Sequence, residues 1–274
     1  RKTENGYAIY EVKSSTDLNH LEVYAQDVAY QKYVLTNCGI NVTGTYLVNI
    51  NNEYVLDGEL NVKEFFNISD ISEAVADEYL KVPTRIAQAK QMLEGGEPER
   101  DFGEYCHKPY GCTFWEYCSR DIIPHPSVFD LYRMSFKKAL EHMNEGRLTL
   151  ENMREEKLTD TQQLQLECTL GDKTYINKDG IKEFLTQLSY PLYFLDFETE
   201  QTVIPKYQGT HPYQQVTFQY SLHYIEQEGG ELKHTEFLGD GVTDPRRALA
   251  EQLCHDIPMN VCTTAYNKAF ECTR

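Results

Sequence analysis

The sequence predicts an α/β protein in which two strand-bearing modules flank a helical linker, and three observations carry that prediction. An Asn5-Gly6 turn signal precedes the run Tyr7 to Lys13, rich in aromatic and β-branched residues. Far downstream, the apolar run Pro191 to Thr199 opens a strand, strand, turn, strand, helix, strand order that continues to Tyr266. Between the two, residues 122–189 carry apolar residues at helical spacing, punctuated by Gly146-Arg147 and Gly171-Asp172. The predicted boundaries are therefore 1–121, 122–189 and 190–274, and each strand-bearing part is long enough for its own core.

Taken in order, Tyr7 to Lys13 reads as a strand on which Glu11 and Lys13 share one face, because side chains alternate with a period of two. Only Arg1 to Glu4 precede the turn, so the chain is expected to be a fragment that begins inside a hairpin. Leu21 to Leu35 has helical spacing that sets Gln31 on the face of Asp27. Thr45 to Ile50, Asn51-Asn52 and Tyr54-Val55 read as a strand and turn closing a small sheet. A carboxylate and an ammonium at this spacing suit metal-assisted phosphodiester chemistry: the acid holds a cation, and the lysine positions water and offsets phosphate charge. The plain alternative is a surface ion pair.

The linker is expected to hold helices over Ser127 to Met143, Leu150 to Leu158, Thr161 to Leu170 and Lys178 to Leu188, a spacer that packs the modules. Beyond it, Asp196 and Glu198 project to one face of a strand otherwise made of Tyr, Phe and Leu, where an uncompensated charge is costly. A hard divalent cation, Mg²⁺ or Mn²⁺, removes that cost through oxygen ligands. The alternative is an edge strand whose carboxylates face water. Strands are expected over Tyr213 to Ile225 and Leu232 to Leu238, joined by a turn at Glu228 to Glu231. A helix over Pro245 to Cys254 with Asp244 as N-cap, a strand over Asn260 to Tyr266 and a helix beginning at Asn267 complete the order. Three meandering strands, a crossover helix and a fourth strand make the opening half of an RNase H-like sheet.

Three of the eight cysteines, Cys106, Cys112 and Cys118, stand with five residues between each pair, among Tyr105, His107, Tyr110, Phe114, Trp115 and Tyr117. The steps are long for a zinc ribbon, and a chain of this length with scattered remaining cysteines is a poor disulfide framework. Thiolates in an aromatic shell suit an iron–sulfur cluster, with three buried structural thiols as the plainer reading.

These motifs carry a resemblance. Glu11-Val12-Lys13 resembles the E-x-K half of the PD-(D/E)XK nucleases, whose RecB-type members carry a Gln and a Tyr on the next helix; Gln31 with Tyr33, or Gln26 with Tyr30, suits that role. The resemblance makes Glu11, Lys13 and Gln31 catalytic, with Tyr33 toward substrate. Iron–sulfur members of that group place three cysteines after the nuclease core, which implies a 4Fe-4S cluster on Cys106, Cys112 and Cys118 with a fourth ligand upstream of Arg1. Leu195-Asp196-Phe197-Glu198-Thr199 and Ala265 to Glu271 resemble the first two motifs of the DEDD 3′–5′ exonucleases. That similarity makes Asp196, Glu198 and Glu271 catalytic metal ligands, Glu271 standing where an Asp is usual, with Asn267 toward substrate. Together with His211 to Gln215 and Tyr220 to His223, the two halves are similar to one bacterial family, domain of unknown function 2779. The resemblance implies a truncated PD-(D/E)XK restriction-endonuclease-like module, a helical linker and a truncated RNase H-like module with a mixed sheet. It also implies a metal-dependent nuclease acting on DNA or RNA, with DNA favoured, and slight activity in a fragment that lacks its terminal motifs.

Charge pulls the other way. Forty-three acidic against 26 basic residues leave −17, whereas nucleic-acid binders usually show a basic patch. A non-catalytic scaffold that keeps degenerate nuclease folds is the rival reading, and a small-molecule phosphoesterase using the Asp196 strand is a third. No apolar run is long enough for a membrane span and no signal peptide is visible, so the expected location is cytoplasmic.

Overall fold

Tyr7–Val12 forms β1 in the computed structural model, which describes residues 1–273. The turn before β1 requires glycine, because a Cβ on Gly6 would meet the Asn41 carbonyl oxygen at 2.2 Å, the same oxygen that accepts from the Tyr7 amide. Lys2 bridges back to Tyr7 in antiparallel sense, so the predicted hairpin is present. Helix α1 (Leu21–Asn37) buries the stripe Tyr24, Ala25, Val28 and Ala29 against Ile9 and Leu47. Strand β2 (Val42–Ile50) then returns parallel to β1, starting three residues before the expected Thr45 because Val42 already pairs with Tyr7. After α2 (Val62–Phe65), β3 (Phe66–Asp70) adds antiparallel to β2, giving the order β1-β2-β3. Tyr54 and Val55 lie outside any strand; Tyr54 is spent on a small core with Phe65. Helices α3 (Ser72–Tyr79) and α4 (Val82–Glu94) complete the first core through Val75 and Val82.

Residues 88–179 form a contact unit of their own. It holds α5 (Trp115–Ser119), α6 (Phe136–Asn144) and α7 (Asp160–Leu170), packed through Val128, Leu131, Leu150, Met153 and Leu166. The expected helix Ser127 to Met143 is broken. Ser127 caps a short 3₁₀ turn, Arg133 takes φ 52°, and Ser135 accepts from the Lys138 amide to start α6 afresh. Leu150 to Leu158 likewise shrinks to a 3₁₀ turn, Leu150–Met153, capped by Thr149. Hydroxyl side chains that bond nearby backbone offer an alternative to continuous helix, and apolar spacing does not register it.

Helix α8 (Lys178–Thr186) leads to β4 (Leu192–Gln201), β5 (Gln215–Ile225) and β6 (Leu232–Leu238). Helix α9 (Arg246–Asp256), the short β7 (Cys262–Thr264) and α10 (Lys268–Glu271) follow. The strand order is β6-β5-β4-β7, with β4 parallel to β7 and antiparallel to β5. One face of this sheet is covered: Tyr193, Phe197, Tyr220 and Leu222 pack on Leu249, Leu253 and Ile257 of the α9 region. Buried Tyr220 donates to Asp256 Oδ2 at 2.6 Å, and Thr235 bonds the same oxygen at 3.2 Å, pinning the end of α9 to β5 and β6. Strand β5 begins two residues after the expected Tyr213, whose φ of 59° turns the chain before the ladder can form.

Residues 1–87 and 180–274 make up one contact unit, so both sheets belong to it. The Leu56 amide donates to Thr210 at 2.9 Å and the Gly209 amide to Leu56 at 2.8 Å, while Val203 and Tyr213 pack on Ile50, Tyr54, Leu56 and Phe65. Among the described residues no helix is long and apolar enough to cross a membrane.

Candidate functional site

Strand alternation carries β1 from its covered residue Ile9 to half-exposed Glu11 and, just past the strand end, Lys13, on the face that α1 packs against. Lys13 Nζ lies 2.7 Å from Glu11 Oε1 and 3.0 Å from Asp27 Oδ2. Gln31 Nε2 donates to the other Glu11 oxygen at 2.9 Å. The strand thus supplies an acid and a cation, and the helix supplies an amide that orients the acid and a second acid that shares the cation. The hydrogen bond to Glu11 raises the Lys13 pKa above its ordinary value against the lowering effect of burial, and Asp27 adds to the rise. Lys13 also sits over the Tyr24 ring, 5.2 Å from its centroid.

Gln31 is therefore the glutamine at Glu11. Tyr33 points elsewhere: its ring packs on Tyr79 at 6.0 Å and belongs to the first core. Asp27 and Tyr24 are the residues that sequence reasoning left out of this site. Their signal was present, since positions 24, 27 and 31 fall on one helical stripe.

At the second site, Asp196 and Glu198 are exposed on the uncovered face of β4, which is an interior strand of a mixed sheet. They stand opposite Ser221 and Gln219 of β5. Pairing with β7 ends at Phe194, so both acids lie past the end of the parallel neighbour, where α/β sheets open a crevice. Glu200, next along the strand, lies beyond a ladder irregularity between Glu198 and Thr199, and its carboxylate is taken up by Lys206 and Tyr207.

The expected third ligand does not join them. Glu271 ends α10, and among the described residues no three His, Cys, Asp or Glu stand together as a group able to hold a metal ion. Asn267 serves as the N-cap of α10, accepting from the Phe270 amide. The same finding governs the cysteines. Cys106, Cys112 and Cys118 all border one cavity of about 730 Å³ walled by Phe102, Phe114 and Tyr117, yet they do not form a ligand group.

No curated protein and no solved structure matches the chain. The model of one family, described as Domain of unknown function (DUF2779), matches residues 193–274, which takes in Asp196, Glu198, Asn267 and Glu271 and leaves Glu11 and Lys13 outside it. What the chain is similar to, over this C-terminal segment, is the DUF2779 family.

Proposed function

We propose that the chain is part of a metal-dependent nuclease hydrolysing phosphodiester bonds of DNA or RNA, with a RecB-type centre at Glu11, Lys13 and Gln31 and a 3′–5′ exonuclease centre at Asp196 and Glu198. The observation that carries this reading is the meeting of Gln31 with the Glu11–Lys13 pair, 20 residues apart in sequence and 2.9 Å apart in space. Supporting it, β1 and β2 run parallel across the α1 crossover, and the order β6-β5-β4-β7 with α9 between β6 and β7 is the one expected of an RNase H-like opening half.

The donor chemistry of both strands fits Mg²⁺ or Mn²⁺, since each offers carboxylate oxygens at a half-exposed or exposed position. Such an ion, when bound, polarises the phosphodiester and lowers the pKa of its water. The residues themselves do the following. Glu11 would hold an ion at the first centre and the Asp196–Glu198 pair one at the second; Gln31 keeps the Glu11 carboxylate oriented; Lys13, held charged by Glu11 and Asp27, would offset negative charge on the phosphate. The three cysteines do not fit a cluster as they stand, and no step depends on them.

The test is Mn²⁺- or Mg²⁺-dependent degradation of single-stranded ends by the full-length protein at low salt, where binding is strongest. Asp196→Ala should lower exonuclease turnover by on the order of 10²–10⁴-fold. Lys13→Ala should remove only a separable nuclease activity, by on the order of 10²-fold. If the metal-loaded protein degrades neither DNA nor RNA, the scaffold reading, which the net charge of −17 favours, replaces this one.

A further inference from the structure

We infer that His223 and His234 form a two-imidazole site for a first-row transition cation such as Zn²⁺, Ni²⁺ or Cu²⁺, on the uncovered face of the second sheet. The two residues are direct cross-strand partners on β5 and β6. Their ring centroids lie 4.3 Å apart, with planes inclined by 32°. Neither ring fills a core: His223 is partly exposed and His234 is exposed. The His223 ring has no side-chain hydrogen bond among the described residues. His234 Nε2 lies 3.1 Å from the Ser221 hydroxyl and 3.9 Å from Glu236 Oε2. In the tautomer with its proton on Nε2, His234 donates to that hydroxyl and leaves the Nδ1 lone pair for a cation, the arrangement that ligating histidines take when a second group fixes the tautomer.

Neutral imidazole nitrogens select borderline first-row ions over Mg²⁺, so the site differs in chemistry from the Asp196–Glu198 pair one strand away. The protein supplies two ligands, and water would fill the other positions. A bound ion would join β6, the edge strand, to β5. Because the unfolded chain does not hold the two histidines side by side, binding raises thermal stability. The inference is independent of the nuclease reading.

The experiment titrates metal-free protein with Ni²⁺, reading heat and melting temperature. One saturable equivalent and a rise in melting temperature are expected. His223→Gln and His234→Gln should each weaken that equivalent at least tenfold and cancel the rise, while their metal-free melting temperatures confirm that they fold. A triple Cys106→Ser, Cys112→Ser, Cys118→Ser variant and Asp196→Asn should retain it. Absence of a saturable equivalent in the parent overturns the inference. So does unchanged binding in both histidine variants, or a loss confined to the cysteine variant.

Discussion

The Tyr213 hydroxyl donates a 2.6 Å hydrogen bond to the Ser14 carbonyl, one residue past Lys13. Tyr213 is itself held by the strand that bears Asp196: its carbonyl accepts from Gln201 Nε2 at 2.6 Å, and its amide donates to Thr202 at 2.9 Å. The end of β4 and the end of β1 are thus connected through one side chain. Tyr213→Phe should cost about 1 kcal/mol in denaturant unfolding. Hydrogen exchange should rise at residues 13–16 and 201–203 together; a rise at only one of them would show that the ends are not linked through this residue.

Glu78 is buried, and its carboxylate receives Lys81 at 2.6 Å and Arg85 at 2.7 Å. The Lys81 bond, with Arg85 adding, holds its pKa below the ordinary value against burial. A depressed folded value contributes stability above the unfolded pKa of about 4.3 and loses it as pH falls through the folded one. Glu78→Gln should cost about 1–3 kcal/mol at pH 7 and much less at pH 3, measured by urea melts at both pH values.

At the alkaline end the sign reverses. Burial, and the bond to Asp256, push the Tyr220 phenol well above its usual range, and Glu11 raises Lys13. Groups with raised folded values contribute stability below the unfolded pKa, about 10 for both, and lose it as pH rises through the folded ones. Stability should therefore fall above pH 10. Tyr220→Phe and Lys13→Met should each flatten that limb, and an unchanged slope in both would remove these groups as its cause.

The cysteine cavity admits a spectroscopic check. Anaerobic purification of the full-length protein should give a brown solution with a broad absorbance shoulder if Cys106, Cys112 and Cys118 draw together on iron and sulfide. Colourless protein with stoichiometric zinc, lost in the triple serine variant, would assign the cavity to zinc.

How much of this was legible in the sequence depends on the range of the interactions. That Glu11 and Lys13 share a face, and Asp196 and Glu198 another, follows from strand alternation alone, and both pairs were legible. The choice between Gln31 and Gln26 was not, because it depends on how α1 is rotated over β1, a tertiary property that the 2.9 Å contact to Glu11 settles. Asp27 was visible on the helix face but acquired meaning only once Lys13 lay 3.0 Å away. Spacing said little about Cys106 to Cys118, since that stretch has only a 3₁₀ turn and a five-residue helix to relate sequence distance to position. Ser135 and Thr149 carried local cap signals that the apolar pattern of the linker overrode.

The bond between Tyr213 and Ser14 spans 199 residues of sequence, and the pair Gly58–Gln208 spans 150. During synthesis at about 5–20 residues per second, the Ser14 carbonyl waits on the order of 10–40 s for its partner. The first sheet therefore leaves the ribosome with the apolar surface of Ile50, Tyr54 and Leu56 still lacking Val203 and Tyr213, and residues 88–179 are made in the interval. Slow loop closure, rather than local propensity, should govern when this unit becomes native, and the nascent first sheet should be the species that chaperones hold.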